Sequence, residues 1–256
     1  MTKVIALAGK GGTGKTTIAA LIVQNLVQKN LGPILAIDAD PSTNLHMALG
    51  LPTPDTIGEI REGMLETAQG VQLGVTISRH DYLSREIRMV MEEGEQIDLL
   101  AMGRPEGQGC YCAVNHLLRE IMDNLSGNYP FVVVDNEAGM EHISRRTTKD
   151  VDQLLVVTDP TVRGIRAAAS IAAMAAEIDV NVRRTGLVVN RVAGPLPEML
   201  QSALDETGLE VLAMIPADDR VGELDATGQP LIALNGDSPA AAAVARMTTQ
   251  VLSDLA

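Results

Sequence analysis

Tryptophan is absent from this 256-residue chain, phenylalanine occurs once and tyrosine three times. Binding of single-stranded nucleic acid rests on bases stacked against exposed aromatics, and duplex binding rests on lysine and arginine neutralising phosphates. Phe131, Tyr82, Tyr111 and Tyr129 are too few for the first mode. An excess of 33 acidic over 20 basic residues, a formal net charge of −13, argues against the second. Nucleic acid is therefore not an expected partner. The chain also lacks any run of about 18 uncharged apolar residues, and its first residues lead straight into the strand-like Val4–Ala8, so neither a spanning helix nor a cleaved signal is expected. With no membrane segment, the expected location is the cytoplasm. Cysteine is scarce as well. Cys110 and Cys112, separated by one residue, can hardly close an unstrained disulfide.

Apolar residues are plentiful, at 46% of the chain, enough to fill a large core and to exclude a disordered protein. At this length an α/β fold forms one domain, and residues 1–256 show no sequence repeat and no linker rich in Pro, Gly and Ser. Short Val/Ile/Leu runs alternate with longer helical stretches. That pattern predicts strands over Lys3–Ala8, Pro33–Ile37, Gln96–Ala101, Pro130–Val134, Gln153–Thr158, Thr185–Asn190 and Leu209–Ile215. Helices are predicted over Lys15–Lys29, Ala113–Leu125, Val162–Ile178, Leu196–Thr207 and Ala240–Leu255. The segment Leu51–Glu95 is the least readable, with a charged helix candidate around Arg85–Glu93. The expected fold is a three-layer α/β P-loop NTPase, a mainly parallel central sheet flanked by helices.

The first strand runs into Gly9-Lys10-Gly11-Gly12-Thr13-Gly14-Lys15-Thr16-Thr17, which fits G-x-x-x-x-G-K-[ST] between a strand and a helix. Glycines let backbone N–H groups turn inward around an anion, and the following helix N-terminus adds a favourable dipole. Lys15 is expected on the β- and γ-phosphates, the Thr16 hydroxyl on Mg²⁺, and Thr17 near the α-phosphate. Phe131-Val132-Val133-Val134-Asp135 supplies the apolar strand ending in an acid that would hold Mg²⁺ through water. Gly139 is placed for its N–H to sense the γ-phosphate, with 136–146 as a switch. In Asp38-Ala39-Asp40-Pro41-Ser42-Thr43-Asn44, carboxylates at i and i+2 project to one side of an extended backbone, so both can approach a metal-bound triphosphate.

Lys10 lies inside the loop, where an ordinary P-loop has no need of a second lysine. The pattern G-K-G-G-x-G-K-T resembles the deviant Walker A signature of the MinD/ParA/nitrogenase-iron-protein class. That resemblance implies a nucleotide-dependent homodimer in which Lys10 crosses the two-fold interface to the partner's nucleotide. It also implies that Lys10 and Lys15 act in catalysis, that Asp40 orients the attacking water, that Asp38 acts near Mg²⁺ and that 42–44 form a switch. Asn190-Arg191, ending a strand, and Pro216-Ala217-Asp218, following the last one, resemble adenine-pocket elements of the class. No N-K-x-D guanine signature occurs, so ATP is expected rather than GTP.

Two cysteines placed at random would fall two positions apart roughly once in 130 placements, so the pair itself carries information. One C-x-C gives two thiolates, too few for a closed tetrahedral site. Two copies on a two-fold axis give four, enough for Zn²⁺, square-planar Ni²⁺ or an iron–sulfur cluster. The plainer alternative is that both are small buried hydrophobes. His46, His80, His116 and His142 show no ligand spacing among themselves.

Taken together, residues 9–17, Asp38-Ala39-Asp40-Pro41, Met102-Gly103-Arg104-Pro105-Glu106-Gly107, Cys110-Tyr111-Cys112 and Asp135-Asn136-Glu137-Ala138-Gly139-Met140-Glu141-His142 resemble the CooC family. These are accessory ATPases that mature nickel-dependent carbon monoxide dehydrogenase. The likeness spans essentially the whole chain. It implies an ATP- and Mg²⁺-dependent homodimer that takes Ni²⁺ (or Zn²⁺) on Cys110 and Cys112 of each subunit and delivers it to that enzyme. Maturation of acetyl-CoA synthase and carriage of an iron–sulfur cluster are the alternatives. A positioning ATPase of the MinD or ParA kind needs a basic membrane helix or a basic DNA face. The C-terminal stretch 240–256 has Arg246 as its sole base.

Overall fold

The computed structural model describes residues 2–60, 79–103, 121–137, 150–177, 181–234 and 237–255. Its centre is an eight-stranded sheet built from β1 (Lys3–Gly9), β2 (Ile34–Ala39), β3 (Glu92–Glu93), β4 (Ile97–Ala101), β5 (Phe131–Asn136), β7 (Gln153–Thr158), β9 (Thr185–Val192) and β10 (Glu210–Pro216). The spatial order is β10-β9-β7-β1-β5-β2-β4-β3. All neighbours are parallel except the short edge strand β3, which runs antiparallel to β4. Two-residue strands β6 (Asp150–Val151) and β8 (Asn181–Val182) pair separately.

Side-chain alternation decides what covers each face. Val4, Ala6 and Ala8 of β1 join Leu35, Ile37, Val132, Val134, Leu154 and Val156 on one side. Leu83 and Ile87 of α3 (Arg79–Met89) and Ile165, Ala168 and Ile171 of α4 (Val162–Glu177) pack there, with Ala203 and Leu204 of α5 (Glu198–Asp205). Ile5 and Leu7 face the other way, with Ala36, Val133, Leu155 and Val188, under α1 (Lys15–Gln28) and α7 (Pro239–Asp254). Each fully buried Ile or Leu contributes roughly 1.5–3 kcal/mol, so both layers are strongly held to the sheet. The expected three-layer α/β architecture is therefore the observed one.

Departures from the expected elements are local. Strands β2 and β5 continue two residues past their last aliphatic side chains, so Asp38 and Asp135 sit inside the sheet, directly opposite each other in register. Apolar runs stop at Ile37 and Val134, which hid this continuation. The charged helix candidate begins earlier, at Arg79, and ends at Met89, before β3. Two further helices, α2 (Leu45–Leu49) and α6 (Asp219–Thr227), are not marked in the sequence by an apolar period. Of the helix expected over Ala113–Leu125, the described part from 121 onward is helical.

Candidate functional site

The phosphate loop follows the central strand β1, where the chain crosses to the α1 side, and it opens at the carboxyl ends of the strands. Parallel α/β sheets place ligands there. Backbone geometry explains the glycines. At Gly9, φ is +152° and an added Cβ would run into the Val157 carbonyl of the neighbouring strand. Gly12 and Gly14 have φ of +79° and +90°, which favours glycine. Gly14 caps α1 without a side-chain hydrogen bond, and the first turn of α1 holds no acid. That helix end, unneutralised and buried along nearly its whole length, suits an anion.

Lys15 follows at 7% exposure, and burial lowers its pKa while the charges of Asp135, Asp40 and Glu137 pull it back up. Its Nζ donates to the Lys10 carbonyl at 3.3 Å. Thr13 Oγ1 donates to the same oxygen at 2.9 Å, so Thr13 serves the loop's interior rather than a ligand directly. The Lys10 side chain itself is exposed.

Thr16 Oγ1 donates to Asp135 Oδ2 at 2.6 Å, joining the two residues expected at Mg²⁺. Asp135 Oδ1 is buried without a hydrogen-bond partner. Burial pushes the Asp135 carboxyl up to about 7; the Thr16 bond opposes this, and the neighbouring Asp38 adds to it. A hydroxyl beside a buried carboxylate oxygen that lacks a partner is a hard-oxygen donor set of the kind Mg²⁺ takes, so the residues fit that ion. Asp38 is spent differently. Its Oδ1 accepts from the Asp40 N–H at 3.0 Å and its Oδ2 from the Leu45 N–H at 2.8 Å, fixing both ends of the turn that carries Asp40. Burial raises it to about 6 despite these bonds. Its place is therefore beneath the turn that carries Asp40, beside Asp135. Asp40 Oδ1 accepts from the Ser42 N–H at 2.9 Å, and Asn44 Nδ2 donates to Ser42 Oγ at 3.1 Å.

Two adjoining cavities receive these groups. The first, about 620 Å³, is lined by Gly11, Gly12, Gly14, Lys15, Thr16 and Thr17 on one side and by Asp40, Ser42, Asn44 and Glu137 on the other. The second, about 520 Å³, has an apolar wall of Ile18, Leu21, Ile215, Pro216 and Val221, with Asn190 and Asp218 at its edge. Thr17, Arg191 and Asp225 line both. A polar chamber joined to a more apolar one, each within the usual range for ligand sites, suits a nucleotide's phosphates and base respectively.

Asp218 lines the apolar cavity, but its carboxylate is committed elsewhere. It accepts from the Arg220 N–H at 3.0 Å, from Ser238 Oγ at 2.6 Å and from the Ala240 N–H at 3.2 Å, capping α6 and bracing the start of α7 at once. Burial raises its pKa, yet these bonds outweigh that and hold the carboxyl below its usual range. Asp218→Ala is expected to lose about 2 kcal/mol, one cap's worth at each helix. That lowers the melting temperature by about 4–8 °C. The carboxyl's folded pKa is depressed, so its contribution is full above the ordinary Asp range and fades as pH falls below it. Melting curves of both proteins at pH 7 and pH 3 check this; a gap that does not narrow in acid would contradict it.

Asp225, Gln229 and Met47 also line the phosphate cavity and carry no signal in the sequence. Cys110, Cys112, His116, Gly139 and His142 lie outside the described residues. Among the described residues no cluster of three or more potential metal ligands occurs, and no helix is long and apolar enough to cross a membrane.

The sequence profile described as the CobQ/CobB/MinD/ParA nucleotide binding domain matches residues 4–231. An uncharacterized ATP-binding protein of Methanocaldococcus jannaschii is 41% identical over 228 residues, covering 89% of this chain and 90% of that protein. The carbon monoxide dehydrogenase accessory protein CooC of Rhodospirillum rubrum is 30% identical over 234 residues, covering 88% of this chain and 87% of that one. In structure, the septum site-determining protein MinD of Pyrococcus horikoshii, complexed with Mg-ADP, superposes with a TM-score of 0.66 at 22% identity. That match covers 98% of this chain and 96% of the other.

Proposed function

Since the chain belongs to the CobQ/CobB/MinD/ParA nucleotide-binding family, we propose that its P-loop ATPase domain drives a dimeric metallochaperone. In this reading it takes nickel on Cys110 and Cys112 of each subunit and delivers it to carbon monoxide dehydrogenase. The observation that carries the reading is the 30% identity to CooC across most of both chains, joined with the C-x-C pair. The apolar face of the last helix favours it over a membrane-positioning role. Ala240, Ala243, Val244, Met247 and Val251 of α7 are buried in the core, not offered to a lipid surface.

The chemistry divides among the residues as follows. Lys15 and the loop's N–H groups hold the β- and γ-phosphates, and Asp40 sits across the cavity where it can orient a water for attack on the γ-phosphorus. The P–O bond to ADP breaks as the bond to that water's oxygen forms, giving ADP and phosphate. Thr16 and Asp135 hold Mg²⁺, which when bound neutralises the phosphate charge. Lys10, exposed on the outside of the loop, reaches a second subunit. Closure of the pair on ATP brings four thiolates together, and loss of the γ-phosphate relaxes them.

Linkage requires that nickel affinity and nucleotide affinity change by the same factor. Equilibrium dialysis of nickel with an ATP analogue, with ADP and without nucleotide is expected to give affinities about tenfold or more apart. One nickel per dimer is expected, with binding lost in Cys112→Ala. Equal affinity in the three states overturns the coupling. Broad visible absorption in anaerobically purified protein would favour iron–sulfur carriage, and nickel transfer to acetyl-CoA synthase instead would change the client.

A further inference from the structure

Asn190 and Arg191 stand where the base is expected, yet their side chains hold the phosphate loop. Asn190 Nδ2 donates to the Thr13 carbonyl at 2.8 Å, and Arg191 Nη1 donates to the Gly12 carbonyl at 3.0 Å. Consecutive residues of a strand point to opposite faces. Here they reach the same loop because Arg191 adopts φ of +59°, a left-handed conformation that non-glycine residues seldom take. Asn190 Oδ1, accepting the Arg191 N–H at 2.9 Å, stabilises that turn. Asn190 is buried, so its bond to Thr13 lies away from competing water.

The two carbonyls belong to consecutive peptides of the loop. In a trans peptide the N–H points opposite to the C=O. Holding the carbonyls of Gly12 and Thr13 toward Arg191 and Asn190 therefore turns the N–H groups of Thr13 and Gly14 the opposite way. Thr13's N–H closes on the Lys10 carbonyl at 3.4 Å, and the Gly14 N–H, opposite the Thr13 carbonyl, faces away from Asn190 at the edge of a cavity that Gly14, Lys15 and Thr16 line. A loop with glycine at 9, 11, 12 and 14 has wide conformational freedom, and ordering it on ligand arrival would weaken binding.

We propose that Asn190 and Arg191 are positioning residues that hold the phosphate loop in its anion-binding shape before a nucleotide arrives. Phosphate affinity then depends on them even for a ligand that has no base. This rests on the loop being the triphosphate site and is independent of the metal cargo.

Inorganic tripolyphosphate with Mg²⁺ separates this from base reading. On the full chain, tripolyphosphate and ATP each compete with a fluorescent ADP derivative, for wild type, Asn190→Ala and Arg191→Gln. The expected result is that Asn190→Ala weakens both ligands by the same factor, about tenfold, or about 1.4 kcal/mol. Asn190 is neutral, so that loss is not one of charge. Arg191→Gln is expected to weaken both as well, with a loss that persists in high salt, where simple attraction between Arg191 and phosphate is screened. A fold defect is checked by melting temperature, and the exposed Arg191 keeps the test available if Asn190→Ala does not fold. ATP weakened with tripolyphosphate unchanged overturns the proposal, as does an Arg191→Gln loss that vanishes with salt. Wild type that holds ATP but not tripolyphosphate also overturns it. Failure of wild type to hold ATP at all would instead strike the nucleotide reading beneath it.

Discussion

Asp135→Asn is expected to abolish most ATP hydrolysis and, at the same time, to make the protein without nucleotide more stable at pH 8. Burial raises the Asp135 carboxyl to about 7, above its ordinary 3.8, against the opposing pull of the Thr16 hydroxyl and Lys15. Across the window from about 4 to 7 the folded state therefore binds more protons than the unfolded one. Stability from this group is full at the acid end and is lost as pH rises through the folded value. Asp38, opposite it in the sheet and raised to about 6, loses stability over the lower part of the same window. Above it, two adjacent carboxylates stand ionised in the sheet. An amide at 135 keeps an oxygen for the Thr16 hydroxyl and removes one of those charges. A gain on the order of 2 kcal/mol at pH 8 follows, shrinking as pH falls through the window and small at pH 3. That is about 4–8 °C in melting temperature. Hydrolysis should fall about a hundred- to thousandfold, as when a charge-stabilising group is taken from a phosphoryl-transfer site. Mg-ATP should stabilise wild type and barely affect the variant. A variant no more stable than wild type at pH 8 would contradict the account.

Gly14→Ala is expected to weaken ATP by about a hundredfold. Its φ of +90° would be forced on an alanine, and the new Cβ would strike the Asn190 amide nitrogen. The backbone conformation costs about 1–2 kcal/mol and the displaced buried hydrogen bond about 1–3 kcal/mol, together enough for a factor of roughly a hundred. Gly11 provides the contrast. An added Cβ there meets nothing within 4 Å, and Gly11→Ala should leave the melting temperature unchanged. Calorimetric titration with ATP and melting curves for both variants decide the matter; equal effects at the two positions would show that the conformation at 14 is not what matters.

The central sheet was legible because its strands are buried on both faces and read as continuous aliphatic runs. The aliphatic run predicts β7 over Gln153–Thr158, the span it occupies. The phosphate loop was legible because its glycines, Lys15 and Thr16 have fixed spacing. What the sequence obscured has physical reasons. Asp38 and Asp135 end apolar runs, so their burial within paired strands left no mark. α6 has no buried residue and hence no apolar stripe, so the cavity walls it supplies at Asp225 and Val221 could not be anticipated. Asn190 reads in the sequence as a strand-end residue, but its bond to Thr13 spans 177 positions, beyond the reach of any local pattern. Asp218 likewise stands out in the sequence for its place after β10, while its carboxylate serves Ser238 and Ala240, twenty and twenty-two residues on.

The Lys15 ammonium rests on the Lys10 carbonyl, which Thr13 also holds. A γ-phosphate competes for that ammonium with far greater charge than a carbonyl can offer. Once it wins, the Lys10 carbonyl is left with the Thr13 hydroxyl and N–H, and the residue whose side chain is exposed loses one of the three donors that steady its backbone. A phosphate held by Lys15 would thus be felt at the backbone of Lys10, whose side chain lies exposed to whatever approaches the loop.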